Sequence, residues 1–437
     1  MKVQSPPGMR DFYPEDMRVQ NWLFDAWRRV SRSWGYHEYE GPIFEYLDLY
    51  TLKSGEGIVS ELFTFTDRGG RRFAIRPEMT PTLARMVAAR ANALPRPIKW
   101  FSIPRMCRAE KPQRGRLREF FQWNIDVLGV EDPLADAEVI ACAAAFFREI
   151  GVGSDDVVIR INSREVATAA LASLGIAPNQ SEQAFTLIDR ADRLPEAAFD
   201  ELWDAAYGNV VSAGQLRGFL EGASREECLR LAAESGDAGV AAADVHERLW
   251  QRLDDFGVAN MCVFDLKTVR GLAYYTGSVF EAHARAGGLR ALLGGGRYDN
   301  LTGLLDGPRV PGVGFGMGDA PVLEFLRCLG KLPEPADQLD AFIIDADRTL
   351  FPEVLALAGH LRAAGLRADF SYKRTGVGKQ FKQAAGRGAR FAIVIGQETT
   401  TAGDLTVKDL ATGSQRSLPA ATVRADPMCL FRAFAPD

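Results

Sequence analysis

One cationic segment carries side chains whose types and spacing could bind or react with a ligand: RMCRAEKPQRGRLREFFQWNID, residues 105–126. It predicts a hairpin in which Arg108 and Glu110 share one face of the first strand. The residues that share one face of the second strand are Gln122, Asn124 and Asp126. An arginine fork beside an amide and a carboxylate suits a phosphate-containing ligand next to a polar or cationic one. An exposed hairpin with cross-strand ion pairs is the simpler interpretation.

A second segment, RPEMT (residues 76–80), lies between a strand-like run and a predicted helix. Glu78 could receive an ammonium group there, and Thr80 could add a second oxygen. The pattern is weak by itself, because Pro-Glu is also a common way to start a helix.

A third segment, RGLAYYTGSVFEAH (residues 270–283), places an arginine and two tyrosines at the start of a predicted strand. Arg270 offers a rigid donor fork for a carboxylate or a phosphate. Tyr274 and Tyr275 would point to opposite faces, so that one packs in a core while the other lends its hydroxyl to a pocket. Aromatic packing accounts for one tyrosine but leaves the Arg-Gly pair unexplained.

Three glycine-rich segments do not match the phosphate-binding loops that their composition suggests. GVGFGMG (312–318) lacks the spacing of a dinucleotide fingerprint, and TGVGKQ (375–380) lacks the first glycine and the final hydroxyl of a P-loop. LLGGGRYDN (292–300) predicts a glycine-rich strand. Glycines within a strand usually mark a close approach of the backbone to a ligand or another segment.

Hydrophobic periodicity predicts the elements that must hold these residues. Helices are expected at 12–36, 135–151 and 319–330, and DRGGRR (67–72) is expected to form a hairpin turn. The strand-like runs lie within residues 37–46, 61–79, 97–110, 118–129, 155–163, 260–266, 273–284 and 289–295.

The chain has 437 residues, which is too long for one core. We predict a β-rich domain over residues 1–325, interrupted by a helical, acidic insertion at about 163–257. A Pro-rich linker at 326–338 leads to a second domain, residues 339–437, in which strands alternate with helices. That alternation predicts an α/β domain with a mostly parallel sheet.

Composition narrows the class of protein. The six cysteines form no CxxC and the four histidines no HExxH, which predicts a reducing cytoplasm and neither a metal site nor a disulfide framework. No apolar run reaches eighteen residues, and the N-terminus lacks the apolar core of a signal peptide, so we predict no membrane association.

Charge is distributed unevenly. The net charge is −5, but residues 181–256 alone carry sixteen acidic against seven basic side chains. By contrast, residues 371–390 hold six basic and no acidic side chains, and residues 105–119 hold six basic and two acidic ones. Such local patches decide whether a polyanion binds, although a basic patch is often only a solvated face.

Together these segments resemble the histidyl-tRNA synthetases, which are class II aminoacyl-tRNA synthetases. The resemblance covers nearly the whole chain, and RGLAYYTGSVFE with GGGRYDNL is its most specific part. QWNID and RPEMTP are most similar to the chloroplast-type and related bacterial branch. The resemblance implies an α+β catalytic domain, with an antiparallel sheet, flanking helices and a helical insertion, followed by a C-terminal α/β anticodon-binding domain. It also implies an ATP-dependent ligase that activates L-histidine and transfers it to the 3′ end of tRNA(His).

The resemblance implies a histidine pocket. Its residues are Glu78, Thr80, Gln122, Asp126, Tyr274 and Tyr275. The α-amino group would be held by Glu78 and Thr80 with the help of Gln122. Asp126 and Tyr275 would hold the two imidazole nitrogens. Because a neutral imidazole has one donor and one acceptor, a carboxylate and a hydroxyl can read both.

The resemblance makes Arg108 and Arg270 catalytic. Arg108 would clamp the α-phosphate of ATP, and Glu110 would help to seat the nucleotide. Arg270 would neutralise charge as the histidine carboxylate attacks and pyrophosphate leaves with its Mg²⁺.

Contacts with tRNA and with a second subunit are also implied. The residues implied in tRNA binding are Gln113, Arg114 and Arg116 in the hairpin loop, and Lys373, Arg374, Lys379 and Lys382 in the anticodon-binding domain. GPIFEYLDLY (41–50) resembles the first class II motif, which implies a homodimer.

Three positions depart from the family pattern. Pro321 replaces an arginine that grips the γ-phosphate, Ala273 replaces an acidic residue, and Asp126 is one methylene shorter than the usual glutamate. The missing arginine favours an alternative, the non-catalytic paralogue that senses histidine as a regulatory subunit of ATP phosphoribosyltransferase. The anticodon-binding domain, the cationic hairpin and Arg270 oppose it. A tRNA-binding or signalling protein is a third alternative, but it predicts loss of Arg108, which is present.

Overall fold

The computed structural model divides the chain into two compact units, Met1–Pro333 and Glu334–Asp437. It describes residues 4–54, 59, 61–113, 115, 117–191, 194–269, 275–286, 288–334 and 338–435. In that part of the chain no helix is long and apolar enough to cross a membrane.

Strands of the first unit form one large and one small sheet among the described residues. They are β1 (His37–Glu38), β2 (Phe44–Tyr46), β3 (Thr64–Thr66), β4 (Arg72–Ile75), β5 (Ile98–Ser102), β6 (Arg105–Cys107), β7 (Glu119–Leu128), β8 (Val157–Ser163), β9 (Cys262–Phe264), β10 (Ser278–Ala284), β11 (Leu293–Arg297) and β12 (Gly312–Gly318). The large sheet has the order β1-β5-β7-β12-β11-β10-β8-β9, with β6 paired to β7. Its six central strands are antiparallel, whereas β1 and β9 join the two edges in parallel.

Helices cover the large sheet and build the insertion. They are α1 (Pro14–Ser33), α2 (Asp48–Ser54), α3 (Thr80–Ala88), α4 (Leu134–Glu149), α5 (Arg164–Ser173), α6 (Ser181–Ala191), α7 (Glu196–Tyr207), α8 (Ala213–Gly222), α9 (Arg225–Glu234), α10 (Asp237–Asp255) and α11 (Asp319–Cys328). Helices α5 to α9 enclose a core of their own around Trp203. Leu249 and Leu253 of α10 instead join the core of the large sheet, so this helix ties the insertion to that sheet.

Alternation along β7 separates a packed face from a polar face. Trp123, Ile125 and Val127 are buried against α1 and α4, and the Trp123 ring lies 6.0 Å from that of Trp27. Because neighbouring side chains of a strand point to opposite faces, the intervening polar residues face away from this core. The predicted hairpin is confirmed, since β6 and β7 pair antiparallel. It differs in one respect: β6 ends at Cys107, so Arg108 lies in the loop beyond the strand.

The small sheet has the order β2-β4-β3, and the predicted DRGGRR turn joins β3 to β4. Three of its apolar side chains, Phe44, Tyr46 and Phe65, are exposed, as is Ile43 directly before β2. The Phe44 and Phe65 rings pack edge to face at 5.3 Å. We call these four residues the aromatic patch.

The second unit contains β13 (Ala341–Asp345), α12 (Phe351–Ala363), β14 (Ala368–Phe370), α13 (Val377–Gly386), β15 (Phe391–Ile395), α14 (Gln397–Thr401), β16 (Asp404–Asp409), β17 (Gln415–Pro419), α15 (Ala420–Ala425) and α16 (Cys429–Ala433). Its sheet order is β14-β13-β15-β16-β17. The α/β prediction is confirmed, but the expectation of a mostly parallel sheet is wrong. β13 pairs in parallel with β14 and β15, whereas β15–β16 and β16–β17 are antiparallel, because β16 and β17 form a hairpin without a crossover helix.

A buried ion pair locks β11 to α4. Asp136 is 2% exposed and accepts from Arg297 Nε at 3.1 Å, and it also accepts from the Ser278 hydroxyl. We expect Asp136→Ala to lower the free energy of unfolding by about 3 kcal/mol, because it removes the closer of two carboxylates from the buried Arg297 guanidinium and leaves the contact with Asp299 at 3.3 Å. Urea unfolding followed by tryptophan fluorescence measures this change.

The matched control is the exposed pair Arg230–Glu234 on α9, in which both side chains are 59% exposed. Glu234→Ala should change the free energy of unfolding by no more than about 0.5 kcal/mol. Equal effects of the two substitutions would show that burial of Asp136 does not matter.

Candidate functional site

A cavity of about 1150 Å³ opens on the polar face of the large sheet. Eight of the residues expected at the site line it: Glu78, Thr80, Arg108, Glu110, Gln113, Gln122, Asp126 and Tyr275. They come from three separate segments of sequence, the start of α3, the β6–β7 hairpin and the approach to β10. The fold thus brings into one cavity the side chains that the sequence presents far apart.

Bare backbone forms the cavity floor. On the cavity face of β11 and β12 the residues are Gly294, Gly296, Gly312, Gly314, Gly316 and Gly318. A Cβ at Gly314 would lie 2.1 Å from Asp126 Oδ1, and one at Gly316 would lie 2.6 Å from Gln122 Nε2. A Cβ at Gly296 would lie 2.8 Å from the Tyr275 ring. Each of these glycines therefore leaves room for one polar or aromatic side chain.

Asp126 is the buried acid of the cavity. It is 4% exposed, and it accepts a hydrogen bond of 2.5 Å from the Tyr298 hydroxyl. Burial raises the pKa of Asp126 to about 7, and the hydrogen bond from Tyr298 partly opposes that rise. Burial, together with the charge of Asp126, also raises the pKa of the nearby Tyr39. The carboxyl group therefore changes charge near neutral pH.

Tyr298 is a residue that the sequence analysis missed. It lies in LLGGGRYDN, directly after β11, and its ring fills the space above Gly312, where a Cβ would lie 2.6 Å away. The signal was present as a glycine-rich strand followed by a tyrosine. The register of β11, β12 and β7 pairs Gly314 with Asp126 and so decides which partner the Tyr298 hydroxyl reaches.

A buried arginine sets the position of the segment that carries Glu78 and Thr80. Arg76 is 4% exposed, and its guanidinium donates to the carbonyl oxygens of Gly41 and Arg105, each at 2.9 Å. Its own carbonyl accepts from the Cys107 amide at 3.0 Å. These bonds fasten the RPEMT segment to β6, so that Thr80 begins α3 at the cavity wall.

Arg108 is positioned by the same segment. Its Nε donates to the Pro77 carbonyl at 3.1 Å, and its guanidinium lies 5.0 Å from the centre of the Phe120 ring. Phe120 also lines the cavity, beside Glu110. An aromatic face next to a fixed guanidinium offers one surface for a flat ring and one for an anion.

Pro321, where the family has an arginine, also lines the cavity. The preceding Asp319 is fully buried and bonded to Arg10 at 2.7 Å and to the Phe121 amide at 3.0 Å, so the start of α11 is tied to Arg10 and to β7. Arg290, on the segment before β11, lines the same cavity and donates to the Gln113 side chain. It therefore adds positive charge at the tip of the hairpin, which the sequence analysis did not anticipate.

Four of the expected site residues lie outside the described part of the chain: Arg114, Arg116, Arg270 and Tyr274. Ala273 also lies outside it. Of the expected tRNA-binding residues in the second unit, Lys373, Lys379 and Lys382 are exposed. Arg374 is instead paired with the buried Asp345 at 2.7 Å, which engages its side chain within the unit.

The site has a chemical character that follows from its lining. A buried acid paired with a tyrosine can read a small polar ring, and Arg108 with Phe120 can hold an anion attached to an aromatic base. Among the described residues, no group of three or more His, Cys, Asp and Glu side chains is arranged to hold a metal ion. The fixed guanidinium and the buried acid offer orientation and electrostatic stabilisation as means of catalysis.

Titration of Asp126 can be measured directly. We expect the ¹³C signal of its carboxyl carbon, identified by its loss in Asp126→Asn, to titrate with a midpoint of about 7. Tyr298→Phe should move the midpoint upward, because the lost hydrogen bond stabilises the charged form. A midpoint near 4 in the wild type, or a downward shift in Tyr298→Phe, would contradict the burial argument.

Comparisons with known proteins agree with this geometry. A family model described as histidyl-tRNA synthetase matches residues 8–320, and one described as anticodon binding domain matches residues 340–425. The chain is 38% identical to the chloroplastic/mitochondrial histidine–tRNA ligase of Arabidopsis thaliana, over 94% of this chain and 84% of the relative. It is also 38% identical to the histidine–tRNA ligase of Opitutus terrae, over 97% of each chain.

A solved structure extends the agreement to three dimensions. The crystal structure of histidyl-tRNA synthetase from Nostoc sp. PCC 7120 superimposes with a TM-score of 0.80 at 26% identity. It covers 99% of this chain and 100% of the other. The chain therefore belongs to the histidyl-tRNA synthetase family.

Proposed function

We propose that this chain is an ATP-dependent histidine–tRNA ligase, which activates L-histidine as histidyl-adenylate and transfers histidine to the 3′ end of tRNA(His). The observation that carries the proposal is the cavity itself, where the buried Asp126–Tyr298 pair faces the same space as Glu78, Thr80 and Arg108. One end of this space suits an imidazole, and the other end suits an amino acid backbone beside a phosphate.

Asp126 is the proposed reader of the imidazole. The carboxylate accepts from one ring nitrogen, and Tyr275, whose side chain lines the cavity, serves the other nitrogen. The hydroxyl of Tyr298 holds the Asp126 carboxylate in place. It therefore fixes the orientation of a side chain that is one methylene shorter than the usual glutamate. Because both partners are buried, a ligand without ring nitrogens would leave them unpaired, which strongly disfavours apolar isosteres.

The remaining residues of the cavity align the two substrates. Glu78, Thr80 and Gln122 take the α-amino group, and Glu110 with Phe120 seats the adenine. A histidine carboxylate oxygen then attacks the α-phosphorus, the bond to the bridging oxygen breaks, and pyrophosphate leaves. Arg108 and Arg270 balance the negative charge that develops at the α-phosphate. Mg²⁺ arrives with the nucleotide as part of the substrate.

Transfer to tRNA completes the proposed reaction. Gln113, Arg114 and Arg116 are proposed to meet the acceptor end at the hairpin tip, and residues 339–437 to form the anticodon-binding domain. We place the catalytic domain at 1–325, with its insertion at about 163–257 and a linker at 326–338. The cytoplasm is the proposed compartment, in line with six free cysteines.

A regulatory subunit of ATP phosphoribosyltransferase is the weaker candidate. The observation in its favour is that Pro321 stands where the family has an arginine. The cavity retains an arginine fixed beside an aromatic ring, Arg108 with Phe120, which a subunit that only senses histidine would not need. An anticodon binding domain over residues 340–425 likewise favours a tRNA ligase.

Histidine-dependent exchange of pyrophosphate into ATP tests the proposal. We expect exchange in the wild type, a loss of at least about 100-fold in kcat/KM for histidine in Asp126→Asn, and nearly complete loss in Arg270→Ala. The amide cannot carry the negative charge that reads the imidazole, so the use of histidine should suffer. Because it fills the same space as the carboxylate, the KM for ATP should stay close to that of the wild type.

Glu119→Gln is the matched control, because Glu119 lies on the opposite face of β7 and pairs with Arg105 at 2.6 Å. It should leave exchange unchanged. Absence of exchange in well-folded wild type would overturn the ligase proposal and favour the regulatory one.

We also propose that the protein is a homodimer that buries the aromatic patch. The patch groups three exposed apolar side chains of one small sheet with Ile43 directly before β2, and contiguous exposed apolar surface usually marks an interface. Glu45 on β2 pairs with Arg85 on α3 at 2.7 Å and keeps this sheet against the helix. A second copy of the chain is the occupant that the class II resemblance implies.

Sedimentation velocity tests the dimer. Phe44→Asp should raise the dimer dissociation constant at least about tenfold, because it places a charge in the apolar centre of the interface. Leu202→Asp, which changes a side chain of similar exposure on α7, should leave the dimer intact. A wild type that sediments as a monomer at micromolar concentration would contradict the proposal.

A further inference from the structure

The loop between β14 and α13, residues 371–376, presents an unusual side chain. Tyr372 is 82% exposed, the highest value among the large hydrophobic side chains in the described part of the chain. Its ring lies 5.1 Å from that of Phe370, the last residue of β14. Most of the ring surface is therefore accessible to a ligand that could stack on it.

The loop that carries Tyr372 is braced from within. Arg374 has a φ of 45°, a left-handed conformation that residues other than glycine rarely adopt. Its Nε donates to the buried Asp345 carboxylate at 2.7 Å, and its guanidinium lies 4.3 Å from the centre of the Phe351 ring. Residues held in strained conformations by their surroundings cluster at functional sites.

A second brace joins the loop to the first turn of α13. Gln380 is fully buried, and its side-chain oxygen accepts from the Asp345 amide at 3.0 Å. Its Nε2 donates to the Asp345 and Thr375 carbonyls at 3.0 and 2.6 Å. The backbone on both sides of Tyr372 is therefore fixed before any ligand arrives.

Positive charge accompanies the exposed ring. Lys373, Lys379 and Lys382 are exposed, and among the residues described no acidic side chain lies within ion-pair distance of their ammonium groups. By contrast, Arg387 pairs with Asp369 at 3.0 Å and Arg390 with Asp409 at 2.7 Å. The uncompensated charge of this segment thus sits on the three lysines nearest to Tyr372 in sequence.

We propose that Tyr372 is a stacking platform for an unpaired base of the tRNA substrate, with the three lysines on the neighbouring phosphates. An aromatic face combined with a cationic surface is the usual means of binding single-stranded nucleic acid, because every base has a face that can stack. Arg374 is the positioning residue of this surface and does not contact RNA, which revises the role expected from the sequence. The proposal rests on the proposed tRNA ligase function and assigns the residues that meet the RNA.

Aminoacylation of two RNAs tests this proposal. Full-length tRNA(His) carries an anticodon loop, whereas a minihelix of its acceptor stem lacks one. We expect Tyr372→Ala to lower kcat/KM for full-length tRNA by about 5- to 150-fold, which corresponds to ~1–3 kcal/mol of base stacking. Charging of the minihelix and ATP–pyrophosphate exchange should not change.

Three variants sharpen the result. Tyr372→Phe should keep the activity of the wild type, because the ring suffices for stacking. Leu355→Ala, which removes another exposed apolar side chain of the same unit, should have no effect. Arg374→Gly tolerates the backbone conformation but loses the Asp345 pair, so it should weaken charging of full-length tRNA while minihelix charging stays constant.

The outcomes are separable. Unchanged charging of full-length tRNA by Tyr372→Ala would overturn the stacking proposal, as would an equal loss with the minihelix, which would indicate a folding defect. A surface that binds a protein or a membrane instead predicts the first of these results. Failure of the ligase function itself would be seen earlier, as an absence of pyrophosphate exchange in the wild type.

Discussion

Space beneath the cavity is the constraint on which the site depends. The cavity face of β11 and β12 consists of glycines, so the side chains of the neighbouring strand and loops can lie flat against backbone. Asp126 occupies volume that a Cβ at Gly314 would take, and Gln122 does the same at Gly316. The absence of Cβ atoms on the glycines of β11 and β12 thus creates the space for the site. The antiparallel register decides which neighbouring side chain fills the space above each glycine.

Burial of a carboxyl group follows from that geometry and carries an electrostatic cost. Asp126 lies at the centre of a sheet whose other face is packed with aromatic rings, so water cannot solvate it fully. One hydroxyl, that of Tyr298, replaces part of the lost solvation. The result is a group poised between two charge states, which is typical of positions that bind or react.

Local patterns allowed much of this structure to be predicted, and long-range register set the limit. Alternation along one strand placed Gln122 and Asp126 on a common face, and turn chemistry located the β3–β4 hairpin. The Tyr298–Asp126 contact could not be found in this way, because it joins residues 172 positions apart through the pairing of three strands. The ion pair of Arg374 was not anticipated for a related reason: a basic residue in a basic run gives no sign of a buried partner on another strand.

The raised pKa of Asp126 has a consequence for how a ligand is held. An imidazole has an ordinary pKa of about 6.5, close to the value of about 7 for this carboxyl group. With histidine as the proposed substrate, the titrations of the two groups become coupled, so the apparent pKa values of the complex belong to the pair and not to either group. Selection then extends beyond shape to proton affinity, since the amide of an asparagine or glutamine ligand fits a polar pocket but cannot exchange a proton with it.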